Sequence, residues 1–491
     1  MAKQASSGIG SEIATVLFVV GWLLLPLGVA MLIPAVADFT TASENWQAFT
    51  FSAAFTIFTG TLLVLSLRRP HVDLHFRGVF LLTTLSWVVL CAFAALPLHL
   101  GQLRLSLTDS MFEAMSGLTT TGATVIVGLD HAPKGLLLWR AMLNFLGGAG
   151  IIVMAIVLLP FLRVGGMQLF RSESSDRTEK LFPSTIAMVS RILGIYLVML
   201  LACTVALAAV RVPLFDAFCH AMSGVATAGF STKDASVGGL ANPAAEWVLL
   251  LFMLLGGMPL VRFVALAQGR GDLIWRDSQV RLYLLLCLLA TMVLAVWLVA
   301  WQERSLHDAL RGAAFSAVSV ITTTGFATED YQLWGPPAVT LFLALTIVGG
   351  CTGSTTGGIK MFRFEILWIS AQIYLMGLFL PNRVARPRYA GKPIDSEIIF
   401  AVLSFVFFFI GTWGLVTVIL GALGLDMVTA ISAAATSLAN TGPGLGHLVG
   451  PAGTFAPLTD GVKWVLTAAM LLGRLEFFTV LVLLHPAFWR R

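Results

Sequence analysis

Long apolar stretches alternate with short polar connections along the whole chain. A membrane-spanning helix needs about 20 apolar residues, and ten stretches approach or exceed that length. In chain order they are Ile13–Val36, Trp46–Leu67, Val79–Leu100, Leu136–Leu162, Ile192–Val210, Val248–Ala267, Leu282–Trp301, Pro337–Tyr374, Ile398–Leu423 and Trp464–Leu484. The pattern predicts an all-α integral membrane protein with ten transmembrane helices. Pro337–Tyr374 is nearly twice the required length, so we expect a break inside it.

Composition supports the same class. Hydrophobic residues make up 58% and charged residues 11% of the 491 positions, whereas a typical soluble domain carries about 25% charged residues. Most of the surface must therefore face lipid, and the net charge of +5 does not indicate a nucleic-acid partner. The five cysteines stand singly, which predicts neither a disulfide framework nor a metal site. The first apolar stretch is too long for a signal peptide and favours a retained helix.

Basic residues concentrate in alternate connections, and such connections are typically cytoplasmic. These residues are Arg68, Arg69, Arg77, Arg163, Arg171, Arg177, Lys180, Arg270, Arg276, Arg281, Arg383, Arg386, Arg388, Lys392, Arg490 and Arg491. The other connections carry fewer basic residues and include acidic ones such as Asp38 and Glu329. We therefore expect both termini in the cytoplasm.

One segment recurs four times in the connections expected outside. The first copy, residues 109–124, reads DSMFEAMSGLTTTGAT, and the second, residues 216–231, reads DAFCHAMSGVATAGFS. The third ends in SVITTTGFAT at residues 319–328, and the fourth and most divergent ends in SLANTGPG at residues 437–444. Each copy lies between two predicted spanning helices, so the chain contains an internal repeat.

Each copy predicts a short helix that breaks at a glycine. The copies open at or near Asp109, Asp216, Asp308 and Asp426. An aspartate there accepts hydrogen bonds from the first helical turn, and we expect a strand-like stretch after the helix. Small residues also permit close helix packing in membranes, which is the alternative interpretation. Four copies at equivalent positions favour the first interpretation, because non-helical backbone at membrane depth survives only when buried in protein or lining a cavity.

Such segments suit a cation. A ring of backbone carbonyls replaces the water that a cation loses, and the C-terminal ends of short helices add partial negative charge. Four segments around one axis would therefore surround a cation pore.

A second feature lies within the overlong stretch. Residues 349–360 read GGCTGSTTGGIK, and each glycine costs a helix about 1 kcal/mol relative to alanine. We expect a flexible intramembrane loop here, with a simple hinge or kink as the alternative. The segment lacks the Gly-x-x-x-x-Gly-Lys-Ser/Thr pattern of a phosphate-binding loop.

The four Thr-Gly segments, the two additional N-terminal helices and this loop resemble the Trk-type potassium-uptake family, within the Trk/Ktr/HKT superfamily of potassium transporters. The resemblance covers nearly the whole chain. It implies that the last eight transmembrane helices form four helix, pore-loop, helix repeats around a central pore. It divides the chain into a two-helix extension at residues 1–70 and repeats at residues 71–165, 166–275, 276–390 and 391–491.

The resemblance also implies functional residues. The implied selectivity filter binds K⁺ as the transported ion, and Gly122 implies potassium selectivity because related transporters with serine there favour sodium. The filter residues are Thr119, Thr120, Thr121 and Gly122; Ala226, Thr227, Ala228 and Gly229; Thr322, Thr323, Thr324 and Gly325; and Ala439, Asn440, Thr441 and Gly442. Ala228, Asn440 and Pro443 depart from the family pattern.

The glycine-rich segment resembles the gating loop of that family, which lies beneath the filter. Its residues are Gly349, Gly350, Cys351, Thr352, Gly353, Ser354, Thr355, Thr356, Gly357, Gly358 and Lys360. An arginine at the position of Arg474 would face the cavity below the filter and raise the barrier for cations. The alternative for Arg474 is an ion pair with Glu365 or Glu476, and Lys360 could instead extend to the cytoplasmic interface.

Four other polar residues stand in apolar surroundings. Arg140 and Arg262 lie near predicted helix ends, where we expect them to extend toward the membrane surface. We interpret His220 and Glu113 as packing or capping groups of the short helices.

The resemblance implies a bacterial inner-membrane protein that forms a homodimer and binds a cytosolic ring of nucleotide-binding regulatory subunits. Two rival functions remain. A proton- or sodium-coupled carrier usually shows intramembrane acidic residues and inverted repeats, whereas these repeats run in one direction. A membrane-embedded enzyme needs a converging nucleophile or metal cluster, and the sequence contains no HExxH, paired aspartates or GxSxG.

Overall fold

The computed structural model describes residues 9–68, 76–157, 185–380, 382 and 386–490. Eight helices in this part of the chain are long and apolar enough to cross a membrane, and two bent helix pairs raise the number to ten. The predicted all-α architecture with ten spans is confirmed. Several basic residues behind the orientation prediction lie outside the described residues: Arg69, Arg163, Arg171, Arg177, Lys180, Arg383 and Arg491.

Four successive units share one order of elements, and we name them repeats 1 to 4. Each has a long outer helix, a short helix, an irregular segment and an inner helix. The outer helices are Phe76–Leu100, Thr185–Ala209, Ser278–Gln302 and Ser396–Ala422. The short helices are Leu107–Leu118, Leu214–Val225, Leu306–Ile321 and Met427–Ala439.

The four inner helices differ in how far they continue. In repeat 1 the helix Lys134–Val157 continues without interruption. In repeat 2 Pro243–Gly256 is followed by Leu260–Ala267 after a bend of 95°, and in repeat 4 Asp460–Arg474 is followed by Phe478–Leu484 after a bend of 115°. In repeat 3 the helix Pro336–Thr346 ends, and the chain resumes a helix only at Met361–Phe379. The expected break in the overlong apolar stretch is confirmed.

The remaining elements are short. Residues Leu129–His131, Ser236–Leu240 and Tyr331–Trp334 form 3₁₀ turns, and Asp272–Trp275 and Pro486–Trp489 form single helical turns. Strands Arg388–Tyr389 and Lys392–Pro393 pair in antiparallel orientation. This two-residue ribbon is the only sheet among the described residues.

The helices before repeat 1 pack beside that repeat. Ile9–Ala30 contacts Trp46–Ser66 and the outer helix of repeat 1, while Leu32–Thr40 contacts its inner helix. The fully buried Asp38 makes the polar link, since its carboxylate accepts hydrogen bonds from the backbone N–H of Gly135 at 2.6 Å and from Asn45 Nδ2 at 2.8 Å. The carboxylate therefore satisfies a free N–H in the first turn of the inner helix.

The repeats close into a ring. Each short helix packs against the outer helix of its own repeat, and each inner helix packs against the short helix of the next repeat. The inner helix of repeat 4 completes the circle by packing against the short helix of repeat 1. The four irregular segments that follow the short helices therefore face one common axis.

Candidate ion pathway

Three of the four short helices begin with a hydroxyl or carboxylate cap, and the helix of repeat 2 follows Pro213 without one. Ser106 and Ser305 are the N-caps in repeats 1 and 3, and their hydroxyls accept hydrogen bonds from the backbone N–H of the aspartate three residues later. Asp426 caps the helix of repeat 4 directly, whereas the side chain of Asp216 in repeat 2 accepts a hydrogen bond from Thr232 at 2.6 Å. The prediction of a capping aspartate is therefore correct only for repeat 4. The Ser305 hydroxyl donates to Asp308 and holds the pKa of that carboxyl below its usual value.

After each short helix the backbone turns in the same way. The second residue of each predicted filter segment has a left-handed conformation: φ is 52° at Thr120, 50° at Thr227, 54° at Thr323 and 55° at Asn440. The glycine two residues later is also left-handed, with φ between 79° and 95° in the four repeats. The expectation of a strand-like stretch is therefore wrong at these positions. Left-handed residues at alternate positions undo the alternation of an extended strand, so neighbouring carbonyls face the same side.

The left-handed threonines are strained, because a β-branched residue rarely adopts positive φ. Such a conformation costs roughly 1–3 kcal/mol per residue and persists only where the surroundings hold it. Repeat 4 places asparagine at this position, a residue type that tolerates the left-handed conformation. Asn440 Nδ2 also donates to Thr121 Oγ1 and to the carbonyl of Met470, both at 3.0 Å. This departure from the family pattern therefore links repeat 4 to repeat 1.

The four filter glycines form a closed circle of backbone contacts. A Cβ on Gly122 would overlap the carbonyl oxygen of Ala228 in repeat 2, and one on Gly229 would overlap that of Thr324 in repeat 3. A Cβ on Gly325 would overlap the carbonyl oxygen of Thr441 in repeat 4. A Cβ on Gly442 would lie 2.7 Å from the carbonyl oxygen of Thr121 in repeat 1. The carbonyls that precede the four glycines are thus neighbours around one axis.

A concave mouth opens on the circle. Its lining includes Gly122, Gly229 and Gly325 from three repeats and Pro443 from the fourth. Lys233 and Asp234 also line it, in the connection that follows the second filter segment. The structure therefore brings three of the predicted segments, and the residue that directly follows the fourth, together at one opening.

The glycine-rich segment of repeat 3 folds as a loop whose two ends are joined. The backbone N–H of Gly349 donates to the carbonyl of Ile359 at 2.7 Å, and that of Ile359 donates to the carbonyl of Ile347 at 2.9 Å. Between these ends the chain is not helical. The backbone N–H of Cys351 donates to the carbonyl of Gly257 in repeat 2 at 2.9 Å. Thr352, Gly353, Ser354 and Gly358 complete the loop, and most of its residues are buried. The loop predicted from the glycine content is present. The alternative, a simple hinge or kink in a helix, is wrong, because the chain forms a loop between two separate helices.

The tip of the loop contacts the predicted filter segments near the ends of the short helices. Thr355 Oγ1 lies 2.9 Å from Thr227 Oγ1, and Gly357 N donates to Thr323 Oγ1 at 2.7 Å. A Cβ on Gly357 would overlap the carbonyl oxygen of Ala439 in repeat 4. The residues Thr355 to Gly357 thus contact the inner ends of three filter segments.

Two cationic side chains hold this tip. Arg474 Nη2 donates to the carbonyl of Thr355 at 2.9 Å. Lys360 Nζ donates to the carbonyl of Thr356 at 2.6 Å and to its hydroxyl at 3.1 Å. Lys360 therefore binds its own loop instead of extending to the cytoplasmic interface.

The alternative ion pair for Arg474 is not formed with either expected acid. Glu476 pairs with Arg363, and Glu365 accepts a hydrogen bond from Ser278 at 3.1 Å. The Arg363–Glu476 pair connects the helix after the loop to the bend in repeat 4.

The inner helices explain why Arg474 reaches the loop. Gly147, Gly256, Gly349 and Gly473 occur at the same spacing from the first residue of their inner helices. The next position is glycine in repeats 1 to 3 and Arg474 in repeat 4. One repeat thus places a guanidinium where the others place no side chain.

Sequence reasoning did not predict the buried ion pair between Arg140 and Glu113, which lies beside the predicted filter segment of repeat 1. Arg140 was expected to extend toward the membrane surface, but its side chain is 1% exposed and its Nε lies 2.7 Å from Glu113 Oε1. Glu113 also binds Thr124, and His220 Nε2 lies 2.9 Å from the hydroxyl of Ser231. Each pair spans the same eleven-residue separation. That shared spacing is the signal in the sequence that could have revealed both contacts.

Arg262 also differs from the expectation, since its Nε donates to Asp277 Oδ2 at 2.9 Å. No group of three or more His, Cys, Asp or Glu side chains arranged to hold a metal ion occurs among the described residues.

Comparison with known proteins identifies the family. A sequence model of the TrkH family, described as "Cation transport protein", matches residues 45–491. The Trk system potassium uptake protein TrkI of Halomonas elongata is 44% identical over 479 residues, covering 97% of this chain and 97% of that protein. The Trk system potassium uptake protein TrkH of Escherichia coli K12 is 35% identical, covering 96% of this chain and 98% of that protein. The crystal structure of the potassium transporter TrkH from Vibrio parahaemolyticus matches with a TM-score of 0.90 at 35% identity, covering 97% of this chain and all of that one. The chain therefore belongs to the TrkH family of cation transport proteins.

Proposed function

We propose that this chain takes up potassium through a pore whose selectivity filter is formed by the four left-handed segments. The observation that carries the proposal is the closed circle in which each filter glycine abuts a carbonyl of the next repeat. The relatives in Halomonas elongata and Escherichia coli are named as potassium uptake proteins. They are transport proteins and not enzymes.

Carbonyl oxygens facing one axis replace the hydration shell of a monovalent cation. The filter consists of residues 119–122, 226–229, 322–325 and 439–442. The four short helices end at these segments, so their partial negative charges lie near the bound K⁺. Thr120 Oγ1 is a buried oxygen without a protein partner among the described residues, and it offers K⁺ a further ligand at the inner edge. Potassium is the transported substrate and not a resident cofactor.

The loop at residues 349–360 acts as the gate in this proposal. Its tip lies against three of the four filter segments, so ions that leave the filter inward meet Thr355 to Gly357. Arg474 fixes the tip through the carbonyl of Thr355 and adds a positive charge that repels cations. The conformation described here corresponds to a closed gate.

Uptake is driven by the membrane potential, which supplies about 2.3 kcal/mol per charge per 100 mV. Symport with H⁺ or Na⁺ on the same fold is the alternative. A reversal potential that shifts with pH at constant K⁺ would favour the symport mechanism.

Location and partners extend the proposal. The chain is a multi-pass membrane protein, and we assign it to the bacterial inner membrane with both termini in the cytoplasm. It forms a homodimer with one pore per protomer, and a cytosolic ring of nucleotide-binding subunits moves the loop. The Trk system names of the relatives support association with further components.

Gly122→Ser tests the filter. A Cβ there overlaps the carbonyl of Ala228, so the ring must distort on one side, and we expect the K⁺/Na⁺ permeability ratio to fall about tenfold, which corresponds to about 1.4 kcal/mol. The ratio is measured from reversal potentials in reconstituted vesicles.

Gly128→Ser is the matched control. Gly128 has the same φ of 83°, but a Cβ there meets no atom within 4 Å. Both variants carry the same backbone strain, and only one touches the ring. Equal ion ratios in Gly122→Ser and the unmodified protein would contradict the filter assignment.

A further inference from the structure

A buried ion pair lies behind the outer end of the filter in repeat 1. Glu113 belongs to the short helix and Arg140 to the inner helix, and their side chains are 0% and 1% exposed. The guanidinium also lies over the ring of Phe230, with its Cζ 4.2 Å from the ring centroid. Burial of two charges is costly unless further hydrogen bonds satisfy them. The additional partners of the pair therefore indicate what it does.

Those partners are the residues that follow the filter glycines of two repeats. Glu113 accepts from the Thr124 hydroxyl at 2.9 Å through Oε1 and from the backbone N–H of Val125 at 2.9 Å through Oε2. Arg140 Nη2 donates to Thr124 Oγ1 at 3.1 Å, and its Nη1 donates to the carbonyl of Ser231 at 2.8 Å. We call the residues that directly follow a filter glycine the outer segment of that repeat. One ion pair thus holds the outer segment of repeat 1 directly and reaches the outer segment of repeat 2.

In repeat 2 the equivalent contact is made by a histidine instead of a carboxylate. His220 replaces Glu113 at the same distance from the filter glycine, and its Nε2 binds the Ser231 hydroxyl at 2.9 Å. Its Nδ1 lies 2.8 Å from the carbonyl of Asp216. Ser231 is therefore held by Arg140 through its carbonyl and by His220 through its hydroxyl.

Repeats 3 and 4 support their outer segments with hydroxyl groups. Ser319 Oγ donates to the carbonyl of Phe326 at 2.7 Å, and Ser432 Oγ donates to that of Leu445 at 2.8 Å. The residues at the Glu113 position are Ser316 and Ala433. The short-helix side chain that holds the residues after the filter glycine is thus a carboxylate paired with Arg140 in repeat 1, and a serine hydroxyl in repeats 3 and 4.

We propose that Arg140 and Glu113 act as positioning residues that set ion discrimination by fixing the outer segments of repeats 1 and 2 relative to each other. The inference rests on the proposed filter function and goes beyond it. Discrimination between K⁺ and Na⁺ depends on the positions of the carbonyl oxygens that coordinate the ion. A charge-assisted hydrogen bond to a carbonyl resists displacement of that carbonyl more strongly than a neutral hydrogen bond does. The planar arginine fork makes three hydrogen bonds at once, to the Glu113 carboxylate, the Thr124 hydroxyl and the Ser231 carbonyl. A lysine ammonium at the same site does not reproduce this geometry.

Arg140→Lys is the first test. It keeps the buried positive charge beside Glu113 but loses the fork that reaches Ser231, so we expect a protein that folds with a K⁺/Na⁺ permeability ratio lowered about tenfold, the scale of one charge-assisted hydrogen bond. The full-length chain in vesicles is measured by reversal potential, beside Gly122→Ser. Arg276→Gln is the control, because it removes an exposed ion pair with Asp272 at 3.3 Å, in the helical turn Asp272–Trp275 and apart from the filter segments.

The neutral double variant Glu113→Gln/Arg140→Gln separates positioning from mere charge compensation. It buries no unpaired charge, so a pair with only a structural role predicts normal yield and a normal ion ratio. A positioning role predicts normal yield with the lowered ratio, because Ser231 has still lost its donor. The double variant decides the question if Arg140→Lys does not reach the membrane.

The outcomes distinguish the two proposals. A shifted ratio in Gly122→Ser with unchanged ratios in Arg140→Lys and the double variant would overturn the positioning role and leave the filter assignment standing. Unchanged ratios in all three would overturn both. A lowered ratio in the Arg140 variants with an unchanged one in Arg276→Gln supports the inference.

Discussion

The inner helices of repeats 1 and 3 start alike and end differently. Both carry a Gly-Gly pair at the same spacing from the first residue of the helix, Gly147-Gly148 in repeat 1 and Gly349-Gly350 in repeat 3. The helix of repeat 1 passes through its pair and continues to Val157, whereas that of repeat 3 has already ended at Thr346. The glycine pair alone therefore does not break a helix.

The residues after the pair decide the difference. Repeat 1 continues with AGIIVMAIV, which is almost entirely apolar, and repeat 3 continues with CTGSTTGGI. Three further glycines and four hydroxyl side chains lower helix propensity and offer the backbone other hydrogen-bond partners. The loop uses such partners: Ser354 Oγ donates to the carbonyl of Cys351 at 2.6 Å, and Thr356 Oγ1 accepts from Gly350 N at 3.1 Å.

The neighbours of each pair differ as well. Tyr196 from the outer helix of repeat 2 covers Gly148 and donates to the carbonyl of Phe145 at 3.3 Å. Tyr283 from repeat 3 covers Gly257 in the same way and donates to the carbonyl of Leu254 at 3.2 Å. Gly350 instead faces the carbonyl of Gly257. In the proposed gating mechanism the inner helix of repeat 1 is therefore a fixed wall, and the loop of repeat 3 is the movable element.

The largest effect on K⁺ conductance is expected from removing the tip of the loop in repeat 3, so that the proposed gate cannot close. Deletion of residues 350–357 removes the tip and leaves ends that are already adjacent, since Gly349 N donates to Ile359 O at 2.7 Å. We expect K⁺ conductance without regulatory subunits to rise roughly hundredfold, the effect of removing a barrier of about 3 kcal/mol. Flux into reconstituted vesicles measures it.

Cys351→Ser serves as the control for the deletion, because it keeps the loop length and the backbone hydrogen bond to Gly257. A deletion variant that folds and conducts like the control would show that the loop is no gate.

A smaller increase is expected from making repeat 4 like the other three. Arg474→Gly restores the residue type found at that position in repeats 1 to 3, removes the hydrogen bond to Thr355 O and removes a positive charge below the filter. We expect about a tenfold rise in conductance, because one charge-assisted hydrogen bond holds the tip. The cost to the helix is small, since Arg474 is its last residue.

Arg474→Lys separates the two contributions. If the charge dominates, the lysine variant conducts as little as the unmodified protein, and if anchoring of the loop dominates, it conducts like the glycine variant. Unchanged conductance in both variants would remove Arg474 from the gating mechanism.

The same contrast shows what the sequence could predict. The break in repeat 3 and the four short helices follow from local composition, because glycine and hydroxyl residues act on the backbone next to them. That four segments surround one axis was predicted from repetition, whereas the assignment of Thr119–Gly122 and its three equivalents to the filter came from the family resemblance. Local composition also separated the continuous inner helix of repeat 1 from the loop of repeat 3.

Other features depend on tertiary contacts and were not predictable in that way. The left-handed φ of Thr120, Thr227 and Thr323 contradicts the extended preference of threonine and is held by the surrounding repeats. The serine caps at Ser106 and Ser305 were assigned to the aspartates three residues later, because both residue types cap helices. The pairing of Arg140 with Glu113 joins two elements separated by the whole filter segment, and periodicity carries no information on it.

The smallest effect is expected from weakening the contact of Asp38 with the inner helix of repeat 1, the fixed wall. Asp38 anchors the first turn of the repeat 1 inner helix through Gly135 N at 2.6 Å, whereas the repeat 3 inner helix begins at Pro336, whose ring nitrogen has no hydrogen to donate. Asp38→Asn weakens that bond and turns a donor toward Asn45 Nδ2, so we expect the free energy of unfolding to fall by about 1–2 kcal/mol with unchanged conductance. Thermal unfolding in detergent measures the change, and Glu44→Gln is the control, because Glu44 is an exposed acid in the connection that follows the helix Leu32–Thr40. A conductance change in Asp38→Asn would mean that the wall of repeat 1 also moves during gating, and the contrast between repeats 1 and 3 would then be one of degree.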